Sequence, residues 1–318
     1  DLRQVEALAR RAVETFGRID TWVNNAAVTL YGTFRDTPAE DFRRIMDVNF
    51  MGQIHGAKAA LPHLEASGGA LICVGSVLSD RGAPLQSGYS ATKHAIKGCI
   101  DGLRVELAKD GSPVRLTLIK PASINTPFFE KARTHMSVQP RPIAPVYSPE
   151  AVADAILHAA VSNEQELYVG GGGKLLSIAN RISPRLVDLL LRMSGFDSQL
   201  TDRPRSPDSP NNLYAPLEDD GGVHGEFTGE ERRGSAYTRL ERSARGASIA
   251  GATLLGASAL ALSAQNARRG GPLRRAIRRR TSNHPRPMGP AATITTGILA
   301  VGAAMLAGKA IVGMVVEG

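Results

Sequence analysis

The run Ala70-Leu71-Ile72-Cys73-Val74 sets five apolar side chains in a row with no polar residue among them. A strand with one face in water would alternate, so this run predicts a strand buried on both faces, as in a parallel sheet covered by helices. Residues 114–119 repeat the pattern, and residues 90–109 between the two have the length and apolar spacing of a helix. Strand, long helix and second buried strand make the crossover that parallel pairing requires. The flanking chain follows the same plan. Leu2, Val5, Leu8, Ala9, Ala12, Val13 and Phe16 fall on one helical face, and Gly17 then stops the helix. The short β-prone run Thr21-Trp22-Val23-Asn24-Asn25 follows. Helices are predicted from near Pro38, over residues 49–66 and over residues 149–160, with a last strand at Glu166–Val169. Residues 1–200 therefore read as an α/β domain with a doubly wound parallel sheet.

Several other classes are excluded. With 318 residues the chain is too long for a disulfide-stapled miniprotein, and its two cysteines, Cys73 and Cys99, show neither CxxC nor zinc-ligand spacing. A metal-built or disulfide-built scaffold is ruled out and a reducing compartment is favoured. His55, His63 and His94 have no partner at ligand spacing, so no metal site is predicted. A hydrophobic share of 42 % with 21 % charged residues excludes a wholly disordered chain. The sequence begins with Asp and opens with no signal-peptide pattern, so the expectation is a fragment whose natural start lies upstream.

The net charge of +8 is concentrated late: residues 1–200 hold 22 basic and 20 acidic side chains, and residues 201–318 hold 16 and 10. The stretch DRPRSPDSPNN and a second polar stretch at 218–231, expected to be poorly ordered, make residues 201–246 read as a polar linker. Residues 247–318 form a basic, Ala/Gly-rich tail. Within it, 247–264 and 287–308 are free of charge, and about 20 apolar residues can span a bilayer. The two stretches flank eight arginines, Arg268 to Arg286, with no acid among them, a cluster that anionic lipid would attract. Membrane association through this tail is the expectation, with 287–308 the better span. A pair of helices packing on a partner protein is the alternative. Nucleic acid is not expected, because the tail has no interleaved aromatics and no binding fold.

The chemistry is concentrated at Tyr89-Ser90-Ala91-Thr92-Lys93. A spacing of four at the start of a helix puts phenol and ammonium on one face. Bringing a phenol from its ordinary pKa near 10 toward neutrality takes roughly 4 kcal/mol of preferential stabilisation of phenolate, which a nearby cation supplies. Ser76 stands thirteen residues earlier, at the carboxyl end of the buried strand, the edge where open α/β sheets bind ligands. A hydroxyl there can orient a carbonyl or alcohol oxygen while Tyr89 exchanges a proton with it.

These residues occur in order with Asn24-Asn25-Ala26-Ala27, Asp47-Val48-Asn49, Gly75-Ser76, and Pro121 followed by Thr126. Taken together, they resemble the short-chain dehydrogenase/reductase family over residues 1–173. The resemblance implies a Rossmann-like fold, here with its first strands missing, and an oxidoreductase that interconverts a secondary alcohol and a ketone with NAD or NADP. It implies Tyr89 as catalytic acid/base, Ser76 as orienter of the substrate oxygen, and Lys93 as the charge that lowers the tyrosine pKa and bonds the nicotinamide ribose. Asn49 would hold a water of the proton relay. Asn24 and Ala26 would line the cofactor cleft, and the Ile124 backbone with the Thr126 side chain would hold the carboxamide. The segment 128–147 would be a mobile substrate lid, made apolar inside by Phe128, Phe129 and Met136. A homo-oligomer paired through long helices such as 90–109 and a cytoplasmic location are further implications. An apolar lid beside a membrane-seeking tail points to a lipid-like substrate.

Departures from the family pattern are also legible. Pro121-Ala122 stands where the family has Pro-Gly, which could crowd the nicotinamide, and Ala27-Val28 replaces the commoner Ala-Gly. The Gly-rich phosphate-binding turn after the first strand is absent, so the chain as given is expected to bind dinucleotide poorly. The run 170–173 lacks the GxGxxG spacing and reads as a flexible turn. A non-catalytic scaffold or membrane adaptor is the competing reading.

Overall fold

A computed structural model describes residues 1–206, 208–218 and 222–233. The main elements in chain order are α1 (Leu2–Phe16), β1 (Thr21–Asn24), α2 (Ala39–Met46), α3 (Gly52–Ser67), β2 (Ala70–Val74), α4 (Ser87–Lys109), β3 (Arg115–Pro121), α5 (Pro149–Val161), β4 (Glu166–Val169), α6 (Gly171–Ile182) and α7 (Pro184–Ser194). The four strands are all parallel and adjacent in chain order, with Asn24 opposite Cys73, Cys73 opposite Leu118 and Ile119 opposite Leu167.

The unbroken apolar run on β2 serves both faces of this sheet. Leu71 and Cys73 pack with Leu64, Ile96 and Ile100 on the side covered by α1, α3 and α4. Ala70 and Ile72 pack with Ala151, Ala155 and Ala159 of α5 on the other side. Each large apolar side chain fully buried in this way contributes about 1.5–3 kcal/mol. Gly17 ends α1 in the left-handed region, at φ 81°, where a side chain would be strained.

Four expectations from the sequence change. The separate helices foreseen near Pro38 and over 49–66 are joined by a π-helical turn at Asp47–Met51, which carries Asn49 into the interior. The glycines at 170–173 are a packing device. Gly170 turns at φ +108°, and Gly171–Gly173 form the first turn of α6. A Cβ on Gly173 would lie 2.0 Å from Val77 Cγ1, and one on Gly170 would lie 2.6 Å from the Tyr147 ring, so only glycine lets α6 approach this closely.

The segment foreseen as a mobile lid is tied down at three places: Arg133–Thr134 pairs with Leu30–Tyr31, Val138–Pro140 with Leu200–Pro204, and Val146–Tyr147 with Ser123–Ile124. Its aromatic residues pack edge to face in a chain from Tyr89 through Phe128 and Phe129 to Phe227.

The described part of the stretch foreseen as a linker, 201–246, is likewise built onto the body. Besides the pairing of Leu200–Pro204, Glu231–Arg232 adds a strand beside Val146–Tyr147. Leu213 and Phe227 are buried, and Arg44 Nε donates to the Leu213 carbonyl at 2.8 Å. Single apolar anchors in polar chain hold this segment, which is why its composition read as a linker. Among the described residues, no helix is long and apolar enough to cross a membrane. The domain boundary foreseen at 247 and the tail 247–318 lie outside the described residues.

Candidate active site

At the carboxyl ends of the strands the fold encloses a cavity of about 680 Å³. Three sequence-distant stretches meet there. Asn25, Ala26 and Ala27 follow β1, Gly75 and Ser76 follow β2, and Pro121 to Ile124 with Thr126 close the β3 side. Tyr89 and Lys93, on the first turns of α4, complete the wall.

Ser76 is fixed by its own turn. It caps the short 3₁₀ helix Val77–Ser79, where Ser76 Oγ accepts from the Leu78 N–H at 3.1 Å and Ser79 Oγ accepts from the Ser76 N–H at 3.3 Å. Its hydroxyl is also close enough to the Tyr89 phenol to favour phenolate. Lys93 Nζ lies 5.4 Å from the Tyr89 ring centroid and donates to the Val74 carbonyl at 2.9 Å. Gln53 Nε2 donates to the same carbonyl at 3.0 Å.

The electrostatics differ from the expectation that Lys93 acidifies the phenol. Burial pushes the Tyr89 pKa up, and the opposing influence is the Ser76 hydroxyl. Burial also lowers Lys93, to about 8, because an ammonium with little water around it gives up its proton more readily. The weakened cation and the desolvated phenol have one cause: both groups are enclosed.

Asn49 is fully buried behind the cavity. Its amide clamps the Val28 backbone from both sides, accepting from the N–H at 2.8 Å and donating to the carbonyl at 2.9 Å. Asn49 Nδ2 also donates to Thr92 Oγ1 at 3.2 Å, and Thr92 Oγ1 donates to the Tyr89 carbonyl at 2.7 Å. This chain links the π turn to the backbone of the candidate acid.

Asn24 stands apart from the group. Its amide accepts from Trp22 Nε1 at 2.9 Å and donates to the Gln53 carbonyl at 3.0 Å, which turns it toward α3, and the neighbouring Asn25 lines the cavity instead. Side chains alternate along a strand end, so moving one residue along changes face. Ala26, Ile124 and Thr126 all lie on the cavity wall. Ala122 takes the position that invited crowding, and its methyl would meet a Cβ on Gly170 at 2.9 Å; the missing side chain there makes room for it.

Sequence reasoning passed over several wall residues. Tyr31 is fully buried on the cavity, with burial pushing its phenol up and Gln86 beside it. Asn212 reaches the wall from the supposed linker. Their only local signal was an isolated polar or aromatic residue within an otherwise unassigned stretch. Behind the serine turn, Lys120 is fully buried between Asp80 at 2.9 Å and Glu166 at 2.8 Å. Burial alone would raise the Asp80 carboxyl, but hydrogen bonds from Tyr168 and Lys120 hold it below the usual carboxylate range. Neither cysteine is a candidate nucleophile: burial pushes the Cys73 thiol up to about 12 and also raises Cys99.

A hydroxyl pair and an amine line a largely apolar cavity at the edge of a parallel sheet, the edge at which open α/β sheets bind ligands. The family model for short chain dehydrogenases matches residues 1–137. An uncharacterized oxidoreductase of Bacillus subtilis, YxnA, is 41 % identical over 75 % of this chain and 67 % of its own length. The 3-ketodihydrosphingosine reductase of Bos taurus is 30 % identical over 56 % of this chain and 54 % of its own. Among solved structures, a short chain dehydrogenase from Burkholderia cenocepacia in complex with NADP is 26 % identical, with a TM-score of 0.50 over 60 % of this chain and 74 % of that one. The chain belongs to the short-chain dehydrogenase family and is an oxidoreductase.

Proposed function

We propose that this chain carries the substrate-binding and proton-transfer residues of an NAD- or NADP-dependent enzyme that interconverts a secondary alcohol and a ketone. The observation that carries the reading is the convergence of Tyr89, Ser76 and Lys93 on one cavity at the carboxyl end of β2.

The residues present fit the nicotinamide end of such a cofactor. Asn25 to Ala27, Ile124 and Thr126 form a wall of backbone and short side chains on which a flat ring and its carboxamide can lie, and Lys93 offers an ammonium for ribose hydroxyls. The NADP complex of the Burkholderia relative supports this choice of cofactor. When bound, the nicotinamide supplies or accepts a hydride at the substrate carbon.

The chain's own residues supply the rest. Ser76 donates to the substrate oxygen and holds it beside Tyr89. In ketone reduction the Tyr89 phenol gives its proton to that oxygen; in alcohol oxidation the phenolate takes it back. A phenol raised by burial is matched to the reductive direction, since it stays protonated until a strong base develops beside it. Asn49 and Thr92 hold the Tyr89 backbone in place. Much of the remaining wall is apolar, with Leu78, Phe128, Phe129, Ile143 and Leu176, alongside the polar Gln86, Lys131 and Asn212. That lining, together with the likeness to a reductase named for a sphingoid ketone, supports a lipid-like substrate.

The test is consumption of reduced cofactor by the protein, with long-chain and short polar ketones offered in parallel. Turnover favouring the long-chain ketones is expected. No turnover with any ketone or secondary alcohol would overturn the proposal, and turnover confined to short polar ketones would remove its lipid part.

A further inference from the structure

The apolar face of α7 is turned away from the body. Leu186, Leu189, Leu190 and Met193 follow the i, i+3, i+4, i+7 pattern that normally faces a core, yet they are between 39 % and 68 % exposed, and Ile182 and Phe196 extend the stripe at 65 % and 44 %. Val187 is the side chain of this helix that is buried against the body. Arg185 and Arg192 fall on one flank of the stripe by helical spacing and Arg181 stands in the last turn of α6; none of the three has an ion-pair partner among the described residues. The sole acid between residues 171 and 196 is Asp188, and Arg81 engages it.

We infer that the face built by α7 and the end of α6 docks on an anionic lipid surface. An exposed apolar stripe edged by arginines is the pattern of a helix lying in the plane of a membrane interface, with apolar side chains in the acyl boundary and guanidinium groups among phosphates. Charge decides against the other occupants. A second copy docked face to face would bring the arginines of both copies together with only Asp197, and Asp188 already engaged by Arg81, to pair them, and the uncharged stretches at 247–264 and 287–308 offer no acid either. The inference does not depend on the identity of the substrate. It does have a bearing on it, because Gly172, Gly173 and Leu176 of α6 line the cavity, so the docked helix pair would adjoin the site.

Hydrogen exchange on the intact protein tests this region by region, with phosphatidylcholine vesicles and with mixed phosphatidylcholine–phosphatidylserine vesicles as probes. The mixed vesicles should slow exchange in peptides covering residues 182–196. Leu189→Glu with Met193→Glu should abolish that protection while leaving the melting temperature within a few degrees. Arg185→Gln with Arg192→Gln should raise the lipid concentration needed for half-maximal protection about thirty-fold, at roughly five-fold per arginine. Unchanged exchange at 182–196 on vesicles would overturn the inference, whether or not the protein floats with them through its tail. So would protection that is already present without lipid, which would mean another copy or the tail covers the face.

Discussion

Lys93 should cost the protein stability. The side chain is buried and its pKa is lowered to about 8 from the ordinary 10.5, with desolvation as the main cause. Because the folded value lies below the unfolded one, unfolding takes up a proton between about pH 8 and 10.5. Stability therefore rises with pH across that window, and the cost of burying the charge is fully present below pH 8. The gap between the two values corresponds to about 3 kcal/mol. Lys93→Met keeps most of the volume and removes the charge. The Val74 carbonyl that Lys93 serves retains its hydrogen bond from Gln53, so no buried acceptor is orphaned. Urea unfolding at pH 7 should accordingly show the variant more stable than the parent by about 2–3 kcal/mol. At pH 10 the difference should shrink to a fraction of that, while ketone turnover is lost at both pH values. A destabilised variant at pH 7, or a parent whose stability is flat from pH 7 to 10, would refute the claim that this ammonium is held at a cost for its function.

Further outcomes follow from the packing around the site. Asn49→Ala removes the partner of both Val28 backbone groups, each worth about 1–3 kcal/mol when buried and unsatisfied, so urea unfolding should show a loss of about 2–6 kcal/mol. Leu213→Ala deletes a fully buried side chain from the cluster that holds Tyr89, at about 2–5 kcal/mol for such a change. Because Leu213 is the apolar anchor of its segment, hydrogen exchange should accelerate at residues 208–218 first, ahead of the sheet; uniform acceleration everywhere would contradict the assignment of that segment as a separately anchored strap.

How much of this could be read in advance depended on whether the signal was local. The doubly buried run on β2, the spacing of Tyr89 and Lys93, and the stop at Gly17 each express themselves within a few residues, and the chain folds as they indicate. Pairings between distant polar segments do not. Nothing within Leu200–Pro204 says that it will lie along Val138–Pro140, and one leucine at 213 amid Pro, Asn and Ser gives no period from which burial can be inferred. The glycines at 170–173 were ambiguous for a related reason: a missing side chain serves either a flexible turn or a close approach, and only the position of Val77 distinguishes them. Asn24 and Asn25 show the finest grain of the problem. Both residues occur in the motif, and which of them faces the cavity follows from the strand's register against β2. The direction of the Tyr89 pKa depended on the depth of the cavity, which a helical spacing does not encode.

The central claim is that the phenol of Tyr89, which shares this cavity with Ser76, carries the proton to and from the substrate oxygen. The most direct measurement compares Tyr89→Phe with the parent, with ketone and reduced cofactor both saturating and cofactor binding followed separately by fluorescence. The account predicts a fall in kcat of about 10²–10⁴ with cofactor affinity changed little. An unchanged kcat would contradict it.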